Sequence, residues 1–246
     1  MGEQGGTTYQ GAQLIAEEAA VLKAFEDMVG EAVPHVSEIK WSTFGFTARD
    51  SHVTGIGMFS KGLPSLPEGL WDLERLEYLW LTGNRLSPFP DEVRRLKSLR
   101  QLSLNMNGLT ELTEGIWELD GMEYICFWRN QVAEISEDLR RLRNLEEFHP
   151  AANPITSLPR SITTLTKLRV LDLADTGITS LPEGFDRLQR LEVLNMRNTR
   201  LSSFPMEIRR IENLTFLGID ERLANQIPGE LREKKGLKIE IRTGSS

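Results

Sequence analysis

The chain of 246 residues lacks several features that define common protein classes. It has one cysteine, Cys126, which excludes a disulfide scaffold and suits a cytoplasmic protein. No run of about 18 apolar residues occurs, and the first ten residues hold neither a basic nor an apolar leader segment. We therefore predict a chain without a membrane span or a secretion signal.

Basic residues are also in deficit. The 29 lysines and arginines are outnumbered by 36 aspartates and glutamates, for a net charge of -7. Nucleic-acid binding needs a basic stripe that neutralises phosphates, so we predict no nucleic-acid partner. A protein partner with a basic surface fits this charge better.

A repeat of 23 residues fills three quarters of the chain, from 53 to 236 in eight units, each close to LxxLxLxxNxLxxLPxxIxxLxx. Position 1 holds Val53, Leu76, Leu99, Met122, Leu145, Leu168, Leu191 and Leu214. Position 9 holds Asn84, Asn107, Asn130 and Asn153, followed by Thr176 and Thr199. Position 15 is proline in six units: Pro67, Pro90, Pro159, Pro182, Pro205 and Pro228.

Units such as LEYLWLTGNRLSPFPDEVRRLKS resemble the leucine-rich repeat family, and the "LP" variety is similar to its cytosolic prokaryotic members and its plant intracellular Ras-group members. The resemblance implies an α/β fold: a curved solenoid, or horseshoe, with a parallel sheet on the concave side and 3₁₀ or helical segments on the convex side. It also implies binding or scaffolding rather than catalysis, without a defined ligand; a small GTPase or its regulator is one candidate partner.

The residues of one unit predict the same local structure. Alternation from Tyr78 to Thr82 favours a short strand, and the asparagine at position 9 can bond backbone groups in the following turn. Thr176 and Thr199 can do only part of this, so we expect looser turns in units 6 and 7. A single unit cannot bury its apolar stripe, so stability should come from stacking.

The ends of the chain differ from the repeats. We predict a disordered segment at 1–10, an N-terminal cap at 11–52, the repeats at 53–236, and an edge strand with a tail at 237–246. Within the cap, the sequence favours a helix over 12–31, strands at 39–41 and 44–47, and a turn at 49–52 that leads into the first repeat.

Side chains that point outward from the strands form the predicted concave face. They include nine acids and four bases, which makes this surface acidic. The aromatic members are Phe59, Tyr78, Trp80, Tyr124 and Trp128, with Phe216 near the far end. Such rings dominate interfaces when a partner buries them, although they can also pack on one another across strands.

Unit 5 breaks the pattern. Pro150 occupies an inward strand position where an amide should join the ladder, so the sheet should be disturbed there. Ala151 and Ala152 replace larger residues, which predicts a dip beside Trp128 and Arg129. The irregularity fits either a functional site or tolerated drift.

An enzymatic alternative comes from one row of outward positions. Cys126, His149 and Asp172 lie on consecutive strands and could act as nucleophile, base and orienting acid, or could bind zinc together with Glu147. The ladder consumes the strand amides, however, so no oxyanion hole is evident, and an open face admits water.

We therefore predict a monomeric, cytoplasmic binding module in signalling that is not an enzyme and needs no cofactor or metal. Its partner is a protein or peptide, not a nucleic acid or a membrane. The predicted partner-binding residues are Phe59, Tyr78, Trp80, Tyr124, Cys126, Trp128, Arg129, Glu147, His149 and Asp172. The alternative is hydrolytic, redox or metal-binding activity at the Cys126 row.

Overall fold

A computed structural model describes residues 6–243, which begin with a hairpin and a helix. Strands β1 (Gly6–Tyr9) and β2 (Ala12–Ile15) pair antiparallel, and α1 (Ala16–Val29) follows. The prediction of disorder over 1–10 is wrong for residues 6–9, and 1–5 lie outside the described residues. Gln10 and Gly11 both have positive φ, which makes the tight turn of a hairpin, while Leu14 is fully buried. The helix therefore starts four residues later than predicted.

The second hairpin consists of β3 (Phe44–Arg49) and β4 (His52–Met58), joined by the predicted turn, in which Asp50 and Ser51 have positive φ. The predicted strand at 39–41 is wrong. The edge of β3 is taken by an earlier segment instead, because Phe46 accepts a hydrogen bond from the Val36 amide and donates one to the Pro34 carbonyl.

The repeats form the predicted parallel sheet, in which Leu79 and its counterparts at position 4 point inward and are fully buried. The strands are β5 (Tyr78–Trp80), β6 (Gln101–Ser103), β7 (Tyr124–Cys126), β8 (Glu147–His149), β9 (Val170–Asp172), β10 (Val193–Asn195) and β11 (Phe216–Asp220). With β3, β4 and β12 (Lys238–Arg242) they make one ten-stranded sheet in chain order, parallel from β4 onward. Each strand pairs with the next in the same register, so equal positions lie side by side.

Short 3₁₀ segments line the convex side, as predicted. They span Glu68–Asp72, Asp91–Arg95, Glu114–Glu118, Glu137–Arg141, Arg160–Thr164, Phe185–Arg187 and Met206–Arg210. Proline precedes four of them in an extended conformation, which presets the turn. The concave parallel sheet and convex 3₁₀ turns confirm the predicted curved solenoid.

Buried asparagines connect neighbouring units. The side-chain oxygen of Asn130 accepts the amides of Asn107 and Leu109, and its amide nitrogen donates to the carbonyls of Leu104 and Phe127. These bonds satisfy backbone groups that no strand partner reaches.

The C-terminal end departs from the repeat. Two short helices, α2 (Glu221–Ala224) and α3 (Gly229–Arg232), precede β12. Arg222 occupies position 9 of the last unit and donates to the carbonyls of Thr199 and Leu201. The division into cap, eight repeats and C-terminal segment stays a prediction; β4 itself crosses the predicted boundary between 52 and 53. Of the predicted tail, 244–246 lie outside the described residues.

Candidate functional site: the concave face and its loop edge

An aromatic stack crosses the concave face. Trp80 and Tyr124 are two strands apart, and the small, fully buried Ser103 between them lets their rings meet in parallel, with centroids 5.6 Å apart and planes 7° apart. Tyr124 also contacts His149 at 5.2 Å. Burial raises the pKa of the Tyr124 hydroxyl. Trp80 and Tyr124 therefore pack on each other across the strands, as one of the two explanations for the aromatic residues expected.

Trp128 differs from the stacked rings because 36% of its surface is exposed. The guanidinium of Arg129 lies 4.8 Å from the centre of its ring, so the two form a cation–π pair at the end of β7. Tyr78 is half-buried. Phe59 meets the edge of Trp41 at 5.5 Å, and Trp41, with 65% of its surface exposed, is an aromatic residue of this face that the sequence analysis missed.

Most acids of the concave face already have partners within the chain. Arg169 holds both oxygens of Glu192 at 3.0 Å and lies 3.6 Å from Glu146. Similar pairs are Arg49–Glu77, Arg100–Glu123, Arg222–Asp220 and Arg242–Asp175. Among the nine acids, only Asp172 and Glu221 have no basic partner among residues 6–243. The unpaired negative charge is therefore much smaller than the composition of this surface indicates.

The row of Cys126, His149 and Asp172 does not assemble into a catalytic site. Cys126 is buried, its thiol donates to the side-chain oxygen of Asn105 at 2.8 Å, and burial raises its pKa, which disfavours the reactive thiolate. His149 bonds Glu147 at 3.2 Å, and this contact lowers the pKa of that carboxyl.

The third member of the row also bonds elsewhere. Asp172 accepts the amide of Ala174 at 3.1 Å rather than orienting His149. Within the described part of the chain, no group of three or more His, Cys, Asp and Glu side chains could hold a metal ion.

Pro150 disturbs the sheet as predicted. Strands β8 and β9 pair over two residues where their neighbours pair over three. The amide of Leu104 donates to the carbonyl of Cys126 at the equivalent place, but Pro150 has no amide hydrogen, so the carbonyl of Asp172 lacks that donor. The predicted dip is displaced. Ala151 is covered, with 1% of its surface exposed, and only Ala152 opens onto a groove.

This groove runs along the loop edge, where the strands end and the chain turns toward the convex side. It has a volume of about 1020 Å³, and Met106, Arg129, Ala152, Asp175 and Arg200 are among its lining residues. This edge was not predicted from the sequence, although position 8 carries a signal for it. Four units have Ser, Gly, Asp or Asn at this position, and these residue types favour left-handed turns. Position 8 has positive φ in seven units: Ser60, Gly83, Met106, Arg129, Ala152, Asp175 and Asn198.

No helix within residues 6–243 has the length and apolar character needed to cross a membrane.

Two family models match the chain. The leucine-rich repeat region matches residues 155–239, and the leucine-rich repeat itself matches residues 75–96. No curated protein matches the chain in sequence.

Solved structures of repeat proteins share the fold. A leucine-rich repeat protein of Leptospira interrogans is 29% identical, with a TM-score of 0.66 over 74% of this chain and 47% of that one. An internalin of Listeria monocytogenes is 19% identical, with a TM-score of 0.65 over 78% of this chain and 56% of that one.

The ectodomain of the plant membrane receptor kinase GASSHO1/SCHENGEN3 of Arabidopsis thaliana, in complex with CASPARIAN STRIP INTEGRITY FACTOR 2, is also similar. It is 19% identical, with a TM-score of 0.60 over 83% of this chain and 27% of that one. The chain thus spans between about a quarter and just over half of the length of these three proteins.

Four observations agree: the uninterrupted 23-residue repeat, the stacked strands joined by buried asparagines, the matching family models and the similar solved structures. The chain is a leucine-rich repeat protein.

Proposed function

We propose that the chain is a non-catalytic binding module that holds a protein or peptide across its concave face. The observation that supports this most directly is the exposed Trp128 beside Arg129, next to the stacked rings of Trp80 and Tyr124. Tryptophan, tyrosine and arginine are the residue types that contribute most to binding when a partner covers them.

The two parts of this surface have different roles. The stack is held by its own contacts, so it offers a preformed apolar platform that loses little side-chain entropy on binding. Trp128 and Arg129 project beyond it and are covered only when a partner arrives. Phe59 and Tyr78 extend the apolar surface toward the N-terminal end.

Asp172 gives the partner its charge preference. It is a strand carboxylate without a basic partner, and its own carbonyl lacks a ladder donor because of Pro150. The carboxylate, which accepts the Ala174 amide but pairs with no cation among residues 6–243, and this carbonyl favour a lysine or arginine side chain from the partner. Seven of the other eight acids have a basic partner within residues 6–243, so a local contact at Asp172, rather than a broad acidic field, selects for a basic surface.

The similar proteins agree with a binding role without naming this partner. The receptor ectodomain is described in a complex with an integrity factor. A small GTPase or its regulator remains a candidate that rests on the sequence resemblance alone. Cytoplasmic location, a monomeric state and a role in signalling remain part of the proposal.

The test compares capture of partners from the lysate of the source organism by immobilised wild type, Trp128→Ala and Asp172→Asn. We expect each variant to lose at least about tenfold of the specifically bound protein, because a binding hot spot contributes roughly 2 kcal/mol or more. Quantitative mass spectrometry of the bound fraction measures this loss.

Met206→Ala is the matched control, since Met206 is an exposed apolar residue on the convex side, with 47% of its surface exposed. We expect it to bind as wild type does. Equal capture by wild type and Trp128→Ala, with both proteins folded by circular dichroism, would refute the concave-face model.

The buried Cys126 thiol argues against the hydrolytic or redox alternative, and the separate bonds of His149 and Asp172 leave no assembled triad.

A further inference from the structure

The groove on the loop edge is lined by two exposed arginines. Arg129 and Arg200 line it, both are exposed, and neither side chain has a hydrogen bond or ion pair to another residue within 6–243. Its acid is Asp175, whose carboxylate already accepts hydrogen bonds from Arg242 at 3.2 Å and from the side-chain nitrogen of Asn198 at 2.7 Å. The groove therefore presents two guanidinium groups that have no carboxylate partner among residues 6–243, one of them over the ring of Trp128, in a chain with a net charge of -7.

The shape of the groove comes from small side chains between these two arginines. Ala152 and Gly177 lie along its floor, where long side chains would close it. Met106 stands at one end, one repeat before Arg129, with 44% of its surface exposed. The groove thus offers an apolar contact, then a positive charge, then an open stretch, then a second positive charge.

We infer that this groove binds an extended acidic peptide segment, with one carboxylate at Arg129 and a second at Arg200. Guanidinium groups bind carboxylates through paired, charge-assisted hydrogen bonds, which are stronger than neutral ones. The occupant is a segment of a partner protein, and the groove adjoins the concave face of the proposed function at Arg129, which contacts Trp128.

The repeat fixes the spacing of the two acids. Arg129 belongs to unit 4 and Arg200 to unit 7, so three strand spacings of about 4.8 Å separate them, or roughly 14 Å. An extended chain advances about 3.4 Å per residue, so acids four residues apart span the same distance. Met106 lies beyond Arg129 and favours an apolar residue just before the first acid. The expected motif is an apolar residue followed by an acid, three intervening residues and a second acid.

Nuclear magnetic resonance titration of the whole chain with synthetic octapeptides tests this inference. The first peptide contains leucine followed by two glutamates four residues apart. The second has glutamines in place of the glutamates, and the third has the two glutamates adjacent. We expect amide shifts around Ala152 and Gly177 with the first peptide, at least about fivefold weaker binding of the other two, and weakening at high salt.

Two substitutions and a matched control locate the contacts. Arg129→Gln and Arg200→Gln should each weaken the first peptide about fivefold or more, because each removes one charge-assisted pair. Arg85→Gln should change binding less than twofold, since Arg85 is also exposed and unpaired on the loop edge but lies outside the groove. Stronger loss with Arg85→Gln, or equal binding of the glutamine peptide, would overturn the inference.

The groove inference and the concave-face proposal can be tested independently. Arg200 lies in unit 7, three repeats beyond Trp128, so Arg200→Gln should leave capture of the concave-face partner unchanged while it weakens binding of the peptide. Loss of capture by Trp128→Ala with retained peptide binding would support both surfaces. Unchanged peptide binding by Arg200→Gln would refute the inference about the groove and would leave the proposed function unaffected.

Discussion

The side chain at position 9 decides whether the backbone amides and carbonyls at the turn between neighbouring repeats all find a hydrogen-bond partner. Asn153 accepts the amide of Val132 at 3.0 Å and donates to three carbonyls. Thr176 donates to the carbonyl of Leu173 at 2.7 Å, but it accepts no amide from the preceding unit, where the equivalent residue is the fully buried Ile155. An amide that is buried without an acceptor costs stability.

Thr176→Asn and Thr199→Asn should therefore stabilise the protein, each by about 1 kcal/mol, because the longer side chain can reach the amides of Ile155 and Ile178. Urea unfolding measures the change. Thr176→Val is the control: it removes the donated bond without adding an acceptor and should destabilise by about 1 kcal/mol. Unchanged or lowered stability in both asparagine variants would contradict this account.

Exposure of individual residues was the least predictable property. Alternation along β7 places Cys126 on the outward side, and the residue does lie there, yet only 6% of its surface is exposed. Its thiol donates to Asn105 and the Tyr124 side chain lies beside it, so neighbouring side chains enclose it. Trp128, two residues later, remains open. The pattern of one strand cannot separate the two cases, because part of the cover, such as Asn105, comes from a neighbouring repeat.

At the level of elements, one buried carboxylate joins helix α1 to the second hairpin. Glu18 has 4% of its surface exposed, bonds the Nδ1 atom of His52 at 2.8 Å and accepts the amide of Val53. This places the helix against the start of β4, where the parallel sheet begins. The role of Glu18 could not be predicted from the sequence, because partners 34 and 35 residues away leave no local pattern.

Glu18→Ala should destabilise the protein by about 2 kcal/mol, since it leaves the amide of Val53 buried without an acceptor. Glu17→Ala is a matched control on the same turn of the helix, and Glu17 is exposed, so its effect should stay within about 0.5 kcal/mol. Urea unfolding at constant pH compares the two. Similar stabilities for both variants would show that the carboxylate does not hold the cap.

The repeat elements followed from the sequence because the same pattern recurs eight times, and each recurrence fixes the register again. The cap has no such redundancy. Its β1–β2 hairpin depends on a turn at Gln10 and Gly11, and the segment at 39–41 lost its predicted pairing to Pro34 and Val36. Competition between two nearby segments for one strand edge is a tertiary outcome that local propensity does not decide.

As a whole, the solenoid has two unlike ends. At the N-terminal end, α1 covers the core, and its Leu22 and Phe25 are fully buried. At the C-terminal end, β12 has a neighbour on one side, β11, and 46% of the surface of Ile241 is exposed. Lys238 and Glu240 pair on this strand, which adds charge to the edge. Stability in a stacked array falls where a unit has one neighbour instead of two.

Amide hydrogen exchange should show this difference. Amides of Lys238–Arg242 should exchange at least about tenfold faster than those of His52–Met58, because the last strand can separate from the sheet without opening the rest. Mass spectrometry of peptic fragments resolves the two segments. Equal protection at both ends would mean that the array unfolds only as one unit.

The contact between Trp80 and Tyr124 gives the molecule an optical property. Two parallel rings at 5.6 Å couple electronically, and the indole nitrogen of Trp80 is buried without a partner among the described residues. Coupled rings in a fixed asymmetric setting absorb left- and right-circularly polarised light unequally, which gives a circular dichroism signal in the near ultraviolet. A ligand that shifted either ring would change this signal, so the concave face carries an intrinsic reporter of its own occupancy, without any attached label.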